Sequence, residues 1–155
     1  MALLQRDSPT TIRQLLLGLV IFGGVGLVVE LLLLDHTDSW EKWIPFVVLA
    51  ITLIASVGIA VRPGRGMLRA FQGSMLLCVA AGTLGLYFHY RGNVEFELER
   101  DSTLHGLALF WDAIRGATPT LAPGALAQLG LMGLIYSYRH PVLEPRTPDA
   151  SPRAR

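Results

Sequence analysis

One acid interrupts the most apolar stretch of this 155-residue chain. Glu30 lies in Gln14–Leu34, 21 residues of which fifteen are Leu, Val, Ile or Phe. An ionisable group inside an apolar helix is a functional hypothesis whose partner has to be named. Gly23, Gly26 and Glu30 recur at helical spacing, so Glu30 is expected to turn inward with the two glycines, where small residues admit a neighbouring helix. His36 follows six positions later, and His89, Tyr90 and Arg91 end another apolar run. If those two ends meet at one depth, then Glu30, His36, His89, Tyr90 and Arg91 line an outward-facing polar pocket.

Three chemistries suit that set. Arg91 or His89 can give Glu30 a charge-assisted hydrogen bond that locks helix register. Glu30 can load protons or a cation in a small transporter. His36 and His89, with Glu30 or Asp35, can ligate a metal or haem iron, since imidazole and carboxylate suit divalent metals. The histidines lack a tight HxxxH-type spacing, so the hydrogen bond is the favoured reading and neither metal nor cofactor is assigned. His140 lies at the opposite end of the chain's last apolar run and joins no site.

Catalytic signatures are absent. The chain contains no GxSxG, HExxH, CxxC, CxxCH or glycine-rich phosphate loop, and the reading is non-enzymatic. Its single cysteine, Cys78, excludes an internal disulfide and a cysteine zinc cluster. A net charge of +1 offers no field for nucleic acid. Charged residues make up 16% of the chain, against about 25% in a soluble domain, too few to coat a water-facing surface.

Four stretches can place these residues in a bilayer, where a helix of roughly 20 apolar residues spans the hydrocarbon. They run over about 14–34, 43–61, 68–88 and 120–138. Pro45 suits the first turn of the second, and Arg62-Pro63-Gly64-Arg65-Gly66 is the turn that ends it. The fourth, within the uncharged run Gly116–Tyr138, is rich in Gly and Ala. The first is too long for the apolar core of a signal peptide and lacks a small-x-small cleavage site, so it is read as permanent. Each stretch has one face of small residues: Ser74, Cys78, Ala81, Gly82 and Gly85 in the third, continuing to His89; Pro123, Ala127, Gly130, Gly133 and Ser137 in the fourth; Thr52, Ser56 and Ala60 in the second.

Basic residues divide unequally. Arg6, Arg13, Arg62, Arg65, Arg69, Arg139, Arg146, Arg153 and Arg155 gather on one side, nine of thirteen. The positive-inside rule then makes both termini cytoplasmic. Twelve arginines against one lysine suggest a GC-rich bacterial genome, hence a bacterial inner membrane. Residues 1–12 form a polar leader, 13–140 the membrane domain, and 141–155, with four prolines, a disordered tail.

The long outer loop carries two signals. Val94-Glu95-Phe96-Glu97-Leu98-Glu99 alternates apolar and acidic with period two, the pattern of a strand. Having no mate in the chain, it would lie on the bilayer surface or add to a sheet in a partner protein; the alternative is irregular chain or a helical turn. Asp101-Ser102 then resembles a helix cap before Leu104, Leu107, Ala108, Trp111 and Ile114, an apolar stripe ended by Gly116. The expected fold is therefore all-α: a four-transmembrane-helix bundle with one interfacial amphipathic helix in the second outer loop. The expected role is a small accessory or structural subunit, its partners the lipid bilayer and either another membrane protein or a second copy. The alternative is a small transporter or ligand-binding protein that uses Glu30.

Overall fold

The structure, a computed structural model, describes residues 8–35 and 39–143. It is all-helical, with no strand among the described residues. Five α-helices follow in order: α1 (Ser8–Leu33), α2 (Ile44–Val61), α3 (Arg65–Arg100), α4 (Gly106–Ile114) and α5 (Gly124–Ser137). Short 3-10 turns precede α2 at Trp40–Trp43 and follow α5 at Pro141–Leu143. Helices α1, α2 and α3 are long and apolar enough to cross a membrane; α5 is apolar but shorter. Most of the leader and tail, residues 1–7 and 144–155, and His36 lie outside the described residues.

The sequence explains the boundaries. Pro45 stands in the first turn of α2, where a missing N–H leaves no bond unmade. Asp35 closes α1 in the left-handed region at φ 51°, a conformation that Asp tolerates and that stops a helix. Gly64 begins α3 from an extended backbone. Four i→i−3 hydrogen bonds from Ala122, Gly124, Ala125 and Leu126 wind a tight turn into α5.

α1, α2, α3 and α5 close a ring in that order, each packed against the next and α5 back against α1. The ring puts α1 and α3 at opposite corners. Its core is Val20, Leu49, Ile59, Leu68, Phe71 and Met75, all buried, and the Phe71 and Tyr136 rings meet edge to face at 5.2 Å. Small residues decide how closely α3 and α5 approach. A Cβ on Gly82 would stand 2.8 Å from the Pro123 carbonyl oxygen, and one on Gly130 would stand 2.5 Å from that of Met75. Only glycine permits these backbones to touch, the usual basis of helix association where water supplies no driving force. Hydroxyls on these faces are satisfied locally: Ser56 Oγ donates to the Thr52 carbonyl at 2.7 Å and Ser137 Oγ to that of Gly133 at 2.7 Å. Thr52 Oγ1 and Cys78 Sγ lie 3.0 Å apart and link α2 to α3.

Two expectations are overturned. Asp101-Ser102 does not cap α4, which starts at Gly106 from an extended His105. Val94–Glu99 is not a strand but the last turns of α3, which has 36 residues and at 1.5 Å per residue is about 54 Å long. Helix continuation needs no new nucleus, and Glu, Leu, Phe and Arg accept it readily. Charged pairs at helical spacing add to it: Arg91 Nε meets Glu95 Oε1 at 2.9 Å, and Arg100 Nη2 meets Glu97 Oε2 at 2.6 Å. A helix satisfies its own backbone, so the unmated edge that argued for a partner strand does not exist.

Candidate functional site

Residues 89–100 of α3 extend past the expected third span by about 18 Å, and α4 packs on this extension. Asn93 holds the lobe together. Its side chain is 1% exposed. Nδ2 lies 2.9 Å from the Ala113 carbonyl oxygen, 2.8 Å from that of Thr118 and 2.9 Å from Thr120 Oγ1. Oδ1 accepts from the Thr118 amide at 3.1 Å and the Thr118 hydroxyl at 2.6 Å. The two carbonyls can only accept and the amide can only donate, so the orientation of the Asn93 side chain is fixed. Thr120 Oγ1 also donates to Ala113 O at 3.2 Å, easing the competition among three acceptors for two hydrogens. Gly116 makes room, since a Cβ there would stand 2.6 Å from Asn93 Cγ. Asn93 therefore ties the α4–α5 linker to α3. Glu97, one turn on, is 5% exposed; its Oε2 is paired with Arg100 in distance but lacks hydrogen-bond alignment.

The structure does not bring together the residues expected to share a pocket. Arg91 is exposed and engaged with Glu95. Tyr90 stacks toward Phe110 of α4, ring centres 6.0 Å apart. His89 is half-buried, its Nδ1 without a partner. Glu30 stands on α1, at the opposite corner of the ring, and no hydrogen bond or ion pair joins it to His89 or Arg91 among the described residues. His36 lies outside the described residues. Among the described residues no three His, Cys, Asp or Glu gather as a metal would need.

Glu30 instead opens onto a groove between α1 and α5. Its volume is about 330 Å³, and its lining includes Phe22, Gly23, Gly26, Gln128 and Leu129. α1 and α5 run antiparallel, since Arg13 near the start of α1 reaches the Arg139 carbonyl just past the end of α5. A Cβ on Gly23 would touch Leu129 Cδ1 at 3.0 Å, whereas one on Gly26 would meet nothing within 4 Å. Gly23 thus seats the two helices, and Gly26 leaves the groove floor open. Phe22, 78% exposed, forms one rim. Glu30 and Gln128 bring the only strongly polar side chains to an apolar trough, and both are exposed. The glycine spacing on α1 predicts a face turned into the bundle together with Glu30; the structure corrects this, because of the three only Gly23 meets α5 while Gly26 and Glu30 are exposed.

The arginine-rich end is built differently. Arg13 Nη2 donates to the Arg139 carbonyl at 3.0 Å, and Arg65 Nε to that of Val142 at 3.1 Å. These cations satisfy carbonyls freed where α5 ends. His140 sits among them, its ring 5.3 Å from that of Tyr136, and its Nδ1 accepts from the Val142 amide at 3.3 Å. Burial, and then the charge of Arg13, push its pKa below the ordinary histidine value. At the other end, the Thr103 hydroxyl and amide both donate to Asp101 Oδ1, which holds that carboxyl below its usual range. Comparison with known protein families, curated proteins and solved structures finds no match.

Proposed function

We propose that this chain is a four-span protein of a bacterial inner membrane, both termini cytoplasmic, with a non-enzymatic role as an accessory or structural subunit. α5 alone is about 21 Å long, short of the roughly 30 Å of hydrocarbon. The tight turn before it adds residues 120–123, about 8 Å at 3-10 rise, which brings the fourth segment to the required length. Aromatics mark the boundaries: Trp40, Trp43, Tyr87, Phe88 and Trp111 at one end and Tyr138 at the other, all exposed. α4 lies in the outer interface, with Leu107 and Trp111 turned outward and Arg115 stacked over the Trp111 ring at 5.8 Å.

The open groove between α1 and α5 carries the assembly reading. Unlike a substrate chamber it is unenclosed, and its acid lies outside the helix ring, where a transporter would have to shield it. A trough floored by Gly26 suits the close approach of another helix. A photoreactive side chain at Phe22 tests this in native membranes, with Ile54, 74% exposed on α2, as the control. Protein adducts at position 22 but only lipid adducts at 54 are expected. Lipid adducts at both positions overturn the assembly role. Proton or solute flux in liposomes that is lost in Glu30→Gln, with folding unchanged, would establish the transporter instead.

A further inference from the structure

Glu30 and Gln128 share one trough but not one depth. Gly23 is level with Leu129, and the two helices are antiparallel. Counting along α1, Gln128 is level with about residue 24, so Glu30 lies some six residues, about 9 Å, nearer the outer surface. Neither side chain has a hydrogen bond or ion pair among the described residues, and between them the floor is glycine and hydrocarbon. A carboxylate at the edge of the hydrocarbon is costly without a counter-charge, and a primary amide there seeks a hydrogen bond.

We infer that the groove receives a transmembrane helix of another protein carrying a lysine or arginine near its outer end. About seven residues deeper on the same face, that helix carries a hydrogen-bonding side chain. The cation meets Glu30, the deeper group meets Gln128, and small or slender residues between them lie against Gly26. This inference rests on the groove being a docking site and adds the chemistry of its occupant. A second copy is a poorer fit. In a parallel dimer about an axis normal to the membrane, each groove residue meets its own depth, which brings carboxylate to carboxylate and leaves Gln128 too deep to intervene.

The 155-residue chain reconstituted in phosphatidylcholine vesicles, with a fluorophore on α1, tests the inference against two synthetic helices. Both are Leu/Ala spans of equal length with a Gln at the deeper position; one carries Arg seven residues outward and the other carries Leu there. The Arg helix is expected to associate at least 10-fold more tightly by energy transfer, and Glu30→Gln should remove that preference without weakening the Leu helix. Gly26→Leu, whose side chain enters open space and so leaves the fold intact, should block both helices. Equal binding of the two helices to the natural chain, or a preference that survives Glu30→Gln, overturns the cationic partner. Binding of both that Gly26→Leu leaves untouched overturns the docking groove itself. Energy transfer between labelled copies, lost in Gly26→Leu, would assign the groove to self-association and also overturn the inference.

Discussion

The residue that organises the lobe at the end of α3 is a poor helix former placed in a helix. Asn93 costs α3 some propensity and returns it through contacts to Ala113, Thr118 and Thr120. Asn93→Asp keeps the shape and loses both N–H donors; Asn93→Leu loses every bond. Each should destabilise the lobe by about 2–4 kcal/mol, the cost of leaving buried carbonyls without donors. Hydrogen exchange should quicken over 113–120 and stay slow within α2; unchanged protection at Thr118 would refute the clamp. Little of this was legible in the chain. A single asparagine among Arg91, Gly92 and Val94 carries no motif, and its partners lie 20 and more positions away. Continuing the small-residue face of α3 past His89 does reach Asn93 and then Glu97, which was the available signal. Glu30 shows the opposite case: its type and depth were plain from sequence, but which side of α1 faces neighbours depends on where α5 lands.

At the scale of elements, the small-residue faces of α3 and α5 were readable because close backbone approach admits few residue types. Gly82, Gly130 and Gly133 all face the partner helix with no room for a side chain. Gly130→Leu should therefore disrupt the α3–α5 pair, a loss of at least about 3 kcal/mol from overpacking, whereas Gly26→Leu should melt like the natural chain. Size-exclusion profiles of heated, detergent-solubilised protein separate the two; equal profiles would deny the close approach. The false strand has an equally physical origin. Period-two alternation over six residues is also compatible with a helix whose charged residues pair at three and four, and the preceding span had already nucleated that helix. The cap after α5 responds to pH. The folded pKa of His140 lies below its unfolded value, so the unfolded chain takes up a proton first. The stability His140 contributes is complete above about pH 6.5 and is lost as pH falls toward the folded value. The protection factor of the Val142 amide, its exchange rate corrected for the intrinsic pH dependence, should fall as pH is lowered from 7.5 to 5.5, and His140→Asn, an acceptor that does not titrate, should abolish that fall.

For the whole molecule, the decisive quantity is how much apolar surface the ring leaves uncovered. Phe22, Leu33, Ile54, Val61 and Ile135 are each more than 60% exposed, and they lie on several helices around the bundle. Soluble monomers rarely expose contiguous apolar patches beyond a few hundred Å², so hydrocarbon is the solvent this surface fits. Composition announced the same conclusion, because too little charge is available to cover the exterior whatever the fold. The proposed direction of insertion rests on the arginines, two of which serve twice. Arg13 and Arg65 count toward the positive side and also hold the carbonyls after α5, so the topological signal and the structural cap coincide at one end. In a Cys78→Ala background, Ser102→Cys beyond α3 should react with an impermeant maleimide added outside intact cells. Arg62→Cys, in the turn between α2 and α3, should react only after the membrane is opened. Labelling of both from one side would mean that α3 does not cross the bilayer, and the outer lobe, the aromatic boundaries and the depth of Glu30 would all have to be placed anew.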